Sequence, residues 1–389
     1  MIDARTQQLG TILDIIAEEL DIPDAVYAGI VARYNHLSDW IKMDSEQNYH
    51  ADSEIYPQGS IRLGTIIRPV KKGDEYDIDL VYRRDLAKLS ITKEDLKKQA
   101  GEQLGRYVDH LRRLGREVPE LEPGRRCWTL NFKGQFHMDV LPAIPDDEAS
   151  SHNLRDVEDG ILITDRELRE WHPSNPKGYA NWFIEGQKVI LLEQQHLMAK
   201  AANVQVEDIP VERVKTPLRR VVQALKRHRD LRYTGNPDHK PISIIITTLA
   251  AKAYESQSDF HEALDGVVRR MPDGIEERDG EYWVANPINP EENFADKWKD
   301  EPERVERFFE WLGQVQADIA KAQKQTGLHA LAESLEPVFG SEIIAKSLER
   351  YGRQTDAAHR SGTLRMAGKT GTLGSIGKVV GNNTWYGEE

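Results

Sequence analysis

The 389-residue chain holds a single cysteine, Cys127. One thiol excludes an intramolecular disulfide and a thiolate-rich zinc cluster, and it fits a reducing compartment. No apolar run approaches the roughly 18 residues that a membrane span needs. The opening residues, Met1-Ile2-Asp3-Ala4-Arg5-Thr6-Gln7-Gln8, lack the apolar stretch of a signal peptide. A soluble, cytoplasmic protein with no membrane partner is expected. With 28 Gly and 18 Pro the chain is neither collagen-like nor a Pro-rich disordered segment. Positive charge is also short: 52 Lys and Arg face 65 Asp and Glu, a net charge of −13. Nucleic-acid-coating proteins draw most of their affinity from neutralising phosphates, so strong general nucleic-acid binding is not expected. A small phosphorylated substrate remains open, since it needs only a local cationic pocket or metal ions.

What is present suffices for a sizeable core: 39% of residues are hydrophobic and 30% charged. At about 150 residues per domain the length suggests two domains or slightly more. Leu9, Ile12, Leu13, Ile16 and Leu20 repeat at helical spacing, and residues 24–42 continue with Val26, Ile30, Val31, Tyr34, Leu37 and Ile41. The pattern then changes to short extended stretches at 54–57 and 76–82, followed by a helix over 92–115 with a capping-box spacing at Thr92 and Asp95. Residues 127–132 and 135–141 read as a hairpin with a two-residue Lys133-Gly134 turn, its second strand ended by Pro142 and Pro145. Residues 146–178 read as a loop-rich crossing. Helices are expected at 179–200, 217–232, 242–255, 259–270 and 303–325, with a short strand at 281–284. The segment 353–389, rich in Gly, Ser, Thr and Lys, has too few apolar residues to offset its ordering entropy and is expected as a flexible tail.

The chemistry concentrates in Gln58-Gly59-Ser60-Ile61-Arg62-Leu63-Gly64-Thr65 and Tyr76-Asp77-Ile78-Asp79-Leu80-Val81. Gly59 and Ser60 follow a short strand, where backbone N–H groups and a hydroxyl can face a phosphate. A Gly-Ser pair taken alone is only a turn. Asp77 and Asp79, two apart in a strand, project from one face. Such carboxylates repel unless a cation lies between them, and oxygen-only ligation suits Mg²⁺. The alternative is a solvated strand edge that discourages aggregation. Asp139, in Phe136-His137-Met138-Asp139-Val140-Leu141, would supply a third carboxylate if its strand pairs beside the first. Three converging carboxylates are enough for a two-metal phosphoryl-transfer centre. None of His137, His152, His172 or His196 sits in a ligand-like cluster.

Gly59-Ser60, then Asp77-x-Asp79, then a distant Asp139 on a strand resembles the polymerase beta-like nucleotidyltransferase fold. The wording around these residues resembles the bacterial cGAS/DncV-like nucleotidyltransferases (CD-NTases), the cyclic-oligonucleotide synthases of CBASS antiphage systems. Two later segments carry the same resemblance. Thr216-Pro217-Leu218-Arg219-Arg220-Val221-Val222-Gln223-Ala224-Leu225-Lys226 resembles the family's helix that sets a lysine, here Lys226, against the triphosphate. Pro241-Ile242-Ser243-Ile244 resembles the next helix, whose early serine, Ser243, contacts phosphate. The run Asn286-Pro287-Ile288-Asn289-Pro290 is similar to an Asn/Pro-rich loop of this group. Read without the resemblance, the Arg/Lys run is a solvated helix face over a buried stripe of Leu218, Val221, Val222 and Leu225.

The resemblance implies an α+β protein. A nucleotidyltransferase catalytic domain with N-terminal helices would span 1–175, a helical C-terminal domain 176–352 would close the active-site cleft, and the Gly-rich tail 353–389 would follow. It implies Asp77, Asp79 and Asp139 as catalytic metal ligands for two Mg²⁺ ions, with Mn²⁺ able to substitute. Gly59, Ser60, Lys226 and Ser243 would hold the triphosphate. Nucleoside triphosphates are the implied substrates, ATP first among them, and the product is a cyclic di- or trinucleotide. A CBASS regulatory partner or an enzyme conjugating the C-terminus is the implied protein partner, although a terminal Glu388-Glu389 is not the small residue expected there. Other readings are a linear oligoadenylate synthase, an RNA 3′-end nucleotidyltransferase, and a catalytically silent scaffold. Tyr56, Tyr76, Tyr179 and Trp283 are candidates for base stacking that could as easily be core.

Overall fold

The computed structural model describes residues 4–44, 53–71, 73–147, 159–165, 171–368 and 370–381. Helices α1 (Ala4–Leu20) and α2 (Asp24–Met43) come first. They are followed by strand β1 (Ser53–Pro57), the single-turn helix α3 (Gly59–Arg62), β2 (Tyr76–Arg84) and α4 (Lys93–Arg113). Strands β3 (Glu120–Pro123), β4 (Trp128–Phe132), β5 (Phe136–Pro145), β6 (Ile161–Ile163) and β7 (His172–Ser174) complete the main sheet. Helices α5 (Pro176–Glu185), α6 (Lys188–Ala202), α7 (Pro217–Arg232), α8 (Ser243–Ala253) and α9 (Phe260–Arg270) follow. Two short hairpins, β8 (Glu276–Arg278) with β9 (Glu281–Trp283) and β10 (Ala285–Asn286) with β11 (Asn289–Asn293), precede α10 (Glu303–Gln323). The chain ends with α11 (Leu328–Phe339), α12 (Ser341–Arg360) and strands β12 (Arg365–Met366), β13 (Leu373–Gly374) and β14 (Lys378–Val379).

These elements form two compact units. The sheet unit comprises Ile22–Lys215 with Ala285–Phe294, and the helical unit comprises Met1–Asp21, Thr216–Val284 and Ala295–Glu389.

In the sheet unit the strand order is β1-β2-β5-β4-β3, with β6 and β7 continuing from β5. Strands β2 and β5 run parallel; the other pairs are antiparallel. A parallel pair needs a crossover, and α4 supplies it. Its start is fixed by Thr92, whose hydroxyl accepts from the Asp95 N–H at 3.1 Å and donates to the Asp95 carboxylate at 2.7 Å. Side chains alternate across each strand. Ile78, Leu80 and Tyr82 of β2, Met138 and Val140 of β5, and Leu130 and Phe132 of β4 therefore share one core with Ile30, Leu37 and Ile41 of α2 and Leu104 and Tyr107 of α4. The intervening residues, Asp77, Asp79, Thr129, His137 and Asp139, are left to the opposite face. Further along, that face turns apolar, with Val81, Leu141, Ala143, Ile161 and Ile163 packed together.

Strand β5 runs through Pro142 to Pro145 instead of ending at the first proline. Its pairing with β4 stops at Val140 and that with β6 starts at Ala143, so Pro142 falls where the strand changes antiparallel partner, while the parallel register with β2 continues through it opposite Tyr82. The crossing over 146–178 includes β6 and β7, and the helix expected over 179–200 is two helices broken at Gly186-Gln187.

In the helical unit, Leu218, Val221, Val222 and Leu225 of α7 are all buried, as their spacing predicts. The cationic residues of α7 do not form a solvated face. Arg219, Lys226, Arg227 and Arg229 are buried as well. Arg227 donates to the Phe339 carbonyl at 3.0 Å and Arg229 to the Pro241 carbonyl at 3.1 Å, so α7 is clamped by hydrogen bonds as well as by its apolar stripe. Helix α1 packs on α12, α9 and α7 and so belongs to this unit, whereas residues 176–215 belong to the sheet unit. The segment expected as a flexible tail is, in its described part, the end of α12 and a three-stranded sheet of order β13-β12-β14. That sheet is tied down by Gln7 Nε2 to Ser375 Oγ at 2.6 Å and by Tyr351 OH to the Leu373 carbonyl at 3.2 Å. The terminal residues 385–389 lie outside the described residues. None of the described helices is long and apolar enough to cross a membrane.

Candidate active site

The parallel register of β2 and β5 sets Asp79 opposite Asp139 and Asp77 opposite His137. Carboxylate oxygens of Asp77, Asp79 and Asp139 all lie within 4.8 Å of one another. Asp77 is exposed, and the other two are partly exposed. Three like charges at that spacing repel, and burial at the other face of β2 and β5 fixes the strands that hold them together. A divalent cation fits this donor set: the ligands are all oxygen, hard and anionic, as Mg²⁺ prefers.

The strands around the triad hold its members. On β4, Thr129 is the register partner of Asp139, and its hydroxyl donates to Asp139 Oδ1 at 2.5 Å. Cys127 lies by the same pair; burial and then the Asp139 charge push its thiol up to about 11, which keeps it protonated. On β5, His137 Nε2 is 3.2 Å from Asp77 Oδ1 and Nδ1 is 3.7 Å from Glu75 Oε2. The hydrogen bond to Asp77 raises the His137 pKa against the opposing effect of burial. Glu75 also accepts from the Gly134 N–H at 2.7 Å. Among the described residues the ligand-like cluster is Asp77, Asp79 and Asp139, with His137 beside it rather than in it; His152 lies outside the described residues.

Gly59 and Ser60 begin α3 directly beyond β1, and the Gln58 N–H donates to the Asp79 carbonyl at 2.9 Å. This bond and the β1–β2 ladder place Gly59 against the Asp79 side chain. Lys226 and Ser243 belong to the helical unit, on α7 and at the start of α8. The Ser243 hydroxyl accepts from Arg229 Nη1 at 2.7 Å, one helical turn beyond Lys226.

Of the stacking candidates, Tyr56 and Tyr76 pack against buried clusters of the sheet unit, and Lys177 lies 4.5 Å above the Tyr56 ring. Tyr179 packs on Trp182 and Phe294. Arg278 lies 4.6 Å above the Trp283 ring. Thr129 and Cys127 carry no motif signal; only the hairpin register could have pointed to them.

A mixed sheet presenting a D-x-D pair on one strand and a third aspartate on its parallel neighbour defines a nucleotidyltransferase. Residues 53–142 match the family model described as the nucleotidyltransferase domain of cyclic GMP-AMP synthase DncV-like proteins. The chain is 30% identical over 394 residues to a c-di-GMP synthase of Roseivirga ehrenbergii, covering 99% of both chains. It is 23% identical to the cyclic dinucleotide synthase CdnG of Bradyrhizobium diazoefficiens, covering 96% of this chain and 92% of that relative. The solved structure of the Bradyrhizobium CdnG in complex with GTP superposes with a TM-score of 0.67 at 21% identity, over 89% of this chain and 99% of the other. The chain belongs to the bacterial CD-NTases, the cGAS/DncV-like nucleotidyltransferases. It is a nucleotidyltransferase of cyclic oligonucleotide synthesis.

Proposed function

We propose that this chain condenses two molecules of GTP into cyclic di-GMP. The observation that carries the chemistry is the convergence of Asp77, Asp79 and Asp139 within 4.8 Å. The choice of base rests on the full-length similarity to the Roseivirga c-di-GMP synthase, which favours GTP over the ATP expected from sequence alone.

A ribose hydroxyl of one nucleotide attacks the α-phosphorus of the other, and pyrophosphate leaves. The remaining triphosphate is then attacked within the linear intermediate, a second pyrophosphate leaves, and the ring closes. Two GTP give one cyclic di-GMP and two pyrophosphates, with the protons of the two attacking hydroxyls released. Asp77 and Asp79 would hold the divalent cations that neutralise the nucleotide's phosphates, and Asp139 aligns the attacking hydroxyl and draws its proton. Two Mg²⁺ ions, replaceable by Mn²⁺, would supply charge neutralisation on the leaving pyrophosphate and a lowered pKa at the attacking hydroxyl. Ser60 offers its hydroxyl, and Gly59 its backbone, to a phosphate. Lys226 supplies a point charge to the triphosphate. Ser243 can still donate its own proton to a phosphate oxygen, because Arg229 occupies only an acceptor position on its hydroxyl. An antiphage setting, with a regulatory or C-terminal conjugating partner, belongs to the same proposal.

The test is product analysis by mass spectrometry with Mg²⁺ and then Mn²⁺, using GTP alone, ATP alone and all four ribonucleoside triphosphates. A phosphatase-resistant cyclic di-GMP from GTP alone is expected. A ring made only when ATP is supplied would overturn the base assignment. Phosphatase-sensitive linear products would overturn ring closure.

A further inference from the structure

We infer that Thr129 is a positioning residue for the third carboxylate: its hydroxyl fixes the Asp139 side chain in the orientation in which it completes the cation site. The inference rests on the reading of Asp139 as a cation-holding, hydroxyl-aligning carboxylate.

Asp79, Asp139 and Thr129 form a row across three adjacent strands, Asp79 opposite Asp139 in the β2–β5 ladder and Thr129 opposite Asp139 in the β4–β5 ladder. Side chains so paired stand about 4.5–5.5 Å apart at Cβ, near enough for direct contact. A carboxylate oxygen of Asp139 lies within 4.8 Å of oxygens of both Asp77 and Asp79. From the neighbouring strand β4 the Thr129 hydroxyl donates to Asp139 Oδ1. A β-branched threonine in a strand has a restricted χ1, so its hydroxyl direction is set by the backbone. The bond therefore fixes the plane of the carboxylate at little entropic cost. One donated hydrogen bond leaves a carboxylate with lone pairs to spare for a cation.

Groups that orient ligands in this way matter measurably: their loss typically costs about 10–100-fold in metal affinity or activity. The experiment titrates Mn²⁺ into the full-length protein bound to a non-hydrolysable GTP analogue, with free Mn²⁺ read by electron paramagnetic resonance. Steady-state kinetics are measured in parallel. Thr129→Val keeps the shape and removes the hydroxyl. It should weaken Mn²⁺ about tenfold or more and lower kcat by a similar factor, with KM for GTP nearly unchanged. Thr129→Ser should restore both to within about threefold of wild type, a rescue that a purely structural role for the methyl would not give. If Thr129→Val does not fold, Thr129→Ala read against Thr129→Ser in the same titration makes the comparison. Wild-type Mn²⁺ affinity and kcat in the hydroxyl-free variant would overturn the inference. Asp139→Asn separates the two claims: if it binds Mn²⁺ like wild type, the reading of Asp139 itself falls.

Discussion

The α-carbon of Gly59 faces the side chain of Asp79 so closely that a methyl group built on it would overlap the carboxylate oxygen, with Asp79 Cγ 3.2 Å away. Gly59 also takes φ = +57°, in the left-handed region where only glycine is unstrained. Two independent requirements thus fall on one residue at the edge of the acidic cluster. The glycine leaves the space in which one triad carboxylate stands.

Replacing Gly59 by alanine should therefore damage catalysis more than stability. The backbone strain costs about 1–2 kcal/mol. The added methyl must displace the Asp79 carboxylate, and misplacing a catalytic group by about 1 Å can cost roughly 100-fold in rate. Turnover assayed beside thermal unfolding checks this. A variant that unfolds readily but keeps its rate when folded would contradict it.

The acidic cluster itself should trade stability for function. With Asp77 and Asp79 both changed to alanine, no cyclic product is expected. Without divalent metal, the double variant should melt at the wild-type temperature or above, because the repulsion among three clustered carboxylates is gone. Wild-type protein should gain stability when Mg²⁺ is added with nucleotide, by linkage to the bound ligand, and the variant should not. Differential scanning fluorimetry with and without Mg²⁺ reads both effects; product made at near wild-type rate would refute the metal assignment.

The sequence makes the acidic face legible through simple alternation. Ile78, Leu80 and Tyr82 had to face one way and Asp77 and Asp79 the other, and the same holds for Met138 and Val140 against His137 and Asp139. The hairpin register was not legible. Lys133 and Gly134 are the central residues of the turn, with Gly134 at φ = +77° and the Gln135 N–H bonded to the Phe132 carbonyl at 3.0 Å. Yet Phe132 pairs with Phe136, so Gln135 is an extra residue before the strands meet. A strict two-residue loop would have set Trp128 opposite Asp139; the extra residue brings Thr129 there instead. The helical stripe of α1 shows that it is buried but not against what, and the helical unit rather than the sheet receives it. The C-terminal sheet was hidden because its few apolar contacts, such as Leu364 and Ala367, become visible only once α1 and α12 are in place.

A glycine in the middle of a helix usually invites stabilisation by alanine, by about 1 kcal/mol. Gly101, in α4, should behave in the opposite way. A Cβ there would run into the indole of Trp128, whose Nε1 donates to the Lys97 carbonyl at 2.8 Å and so cannot easily withdraw. Overpacking of this kind costs about 1–3 kcal/mol, which outweighs the gain in helix propensity. Gly101→Ala should lower the urea midpoint. Because Trp128 precedes Thr129 on β4, it should also reduce turnover. A raised midpoint would show that the indole has room to move.

His228 offers a pH test confined to the helical unit. It is buried on α7, with Nε2 3.1 Å from Asp318 Oδ2 and its ring edge-on to Trp311. Burial lowers its pKa below the ordinary 6.5, outweighing the Asp318 carboxylate, which raises it; Arg232 adds a smaller lowering effect. The unfolded chain therefore takes up a proton near pH 6.5, where the folded chain does not. Below that pH the unfolded state binds more protons, so stability falls as the solution is acidified from pH 7 towards the lower folded-state value, then levels off. In His228→Gln, which keeps a polar side chain but cannot titrate, the fall in melting temperature between pH 7 and pH 5 should be smaller than in wild type. Comparing the two proteins cancels the contributions of the other histidines. Parallel curves would mean that the folded protein accommodates the imidazolium through Asp318, and that the ion pair, not burial, governs this site.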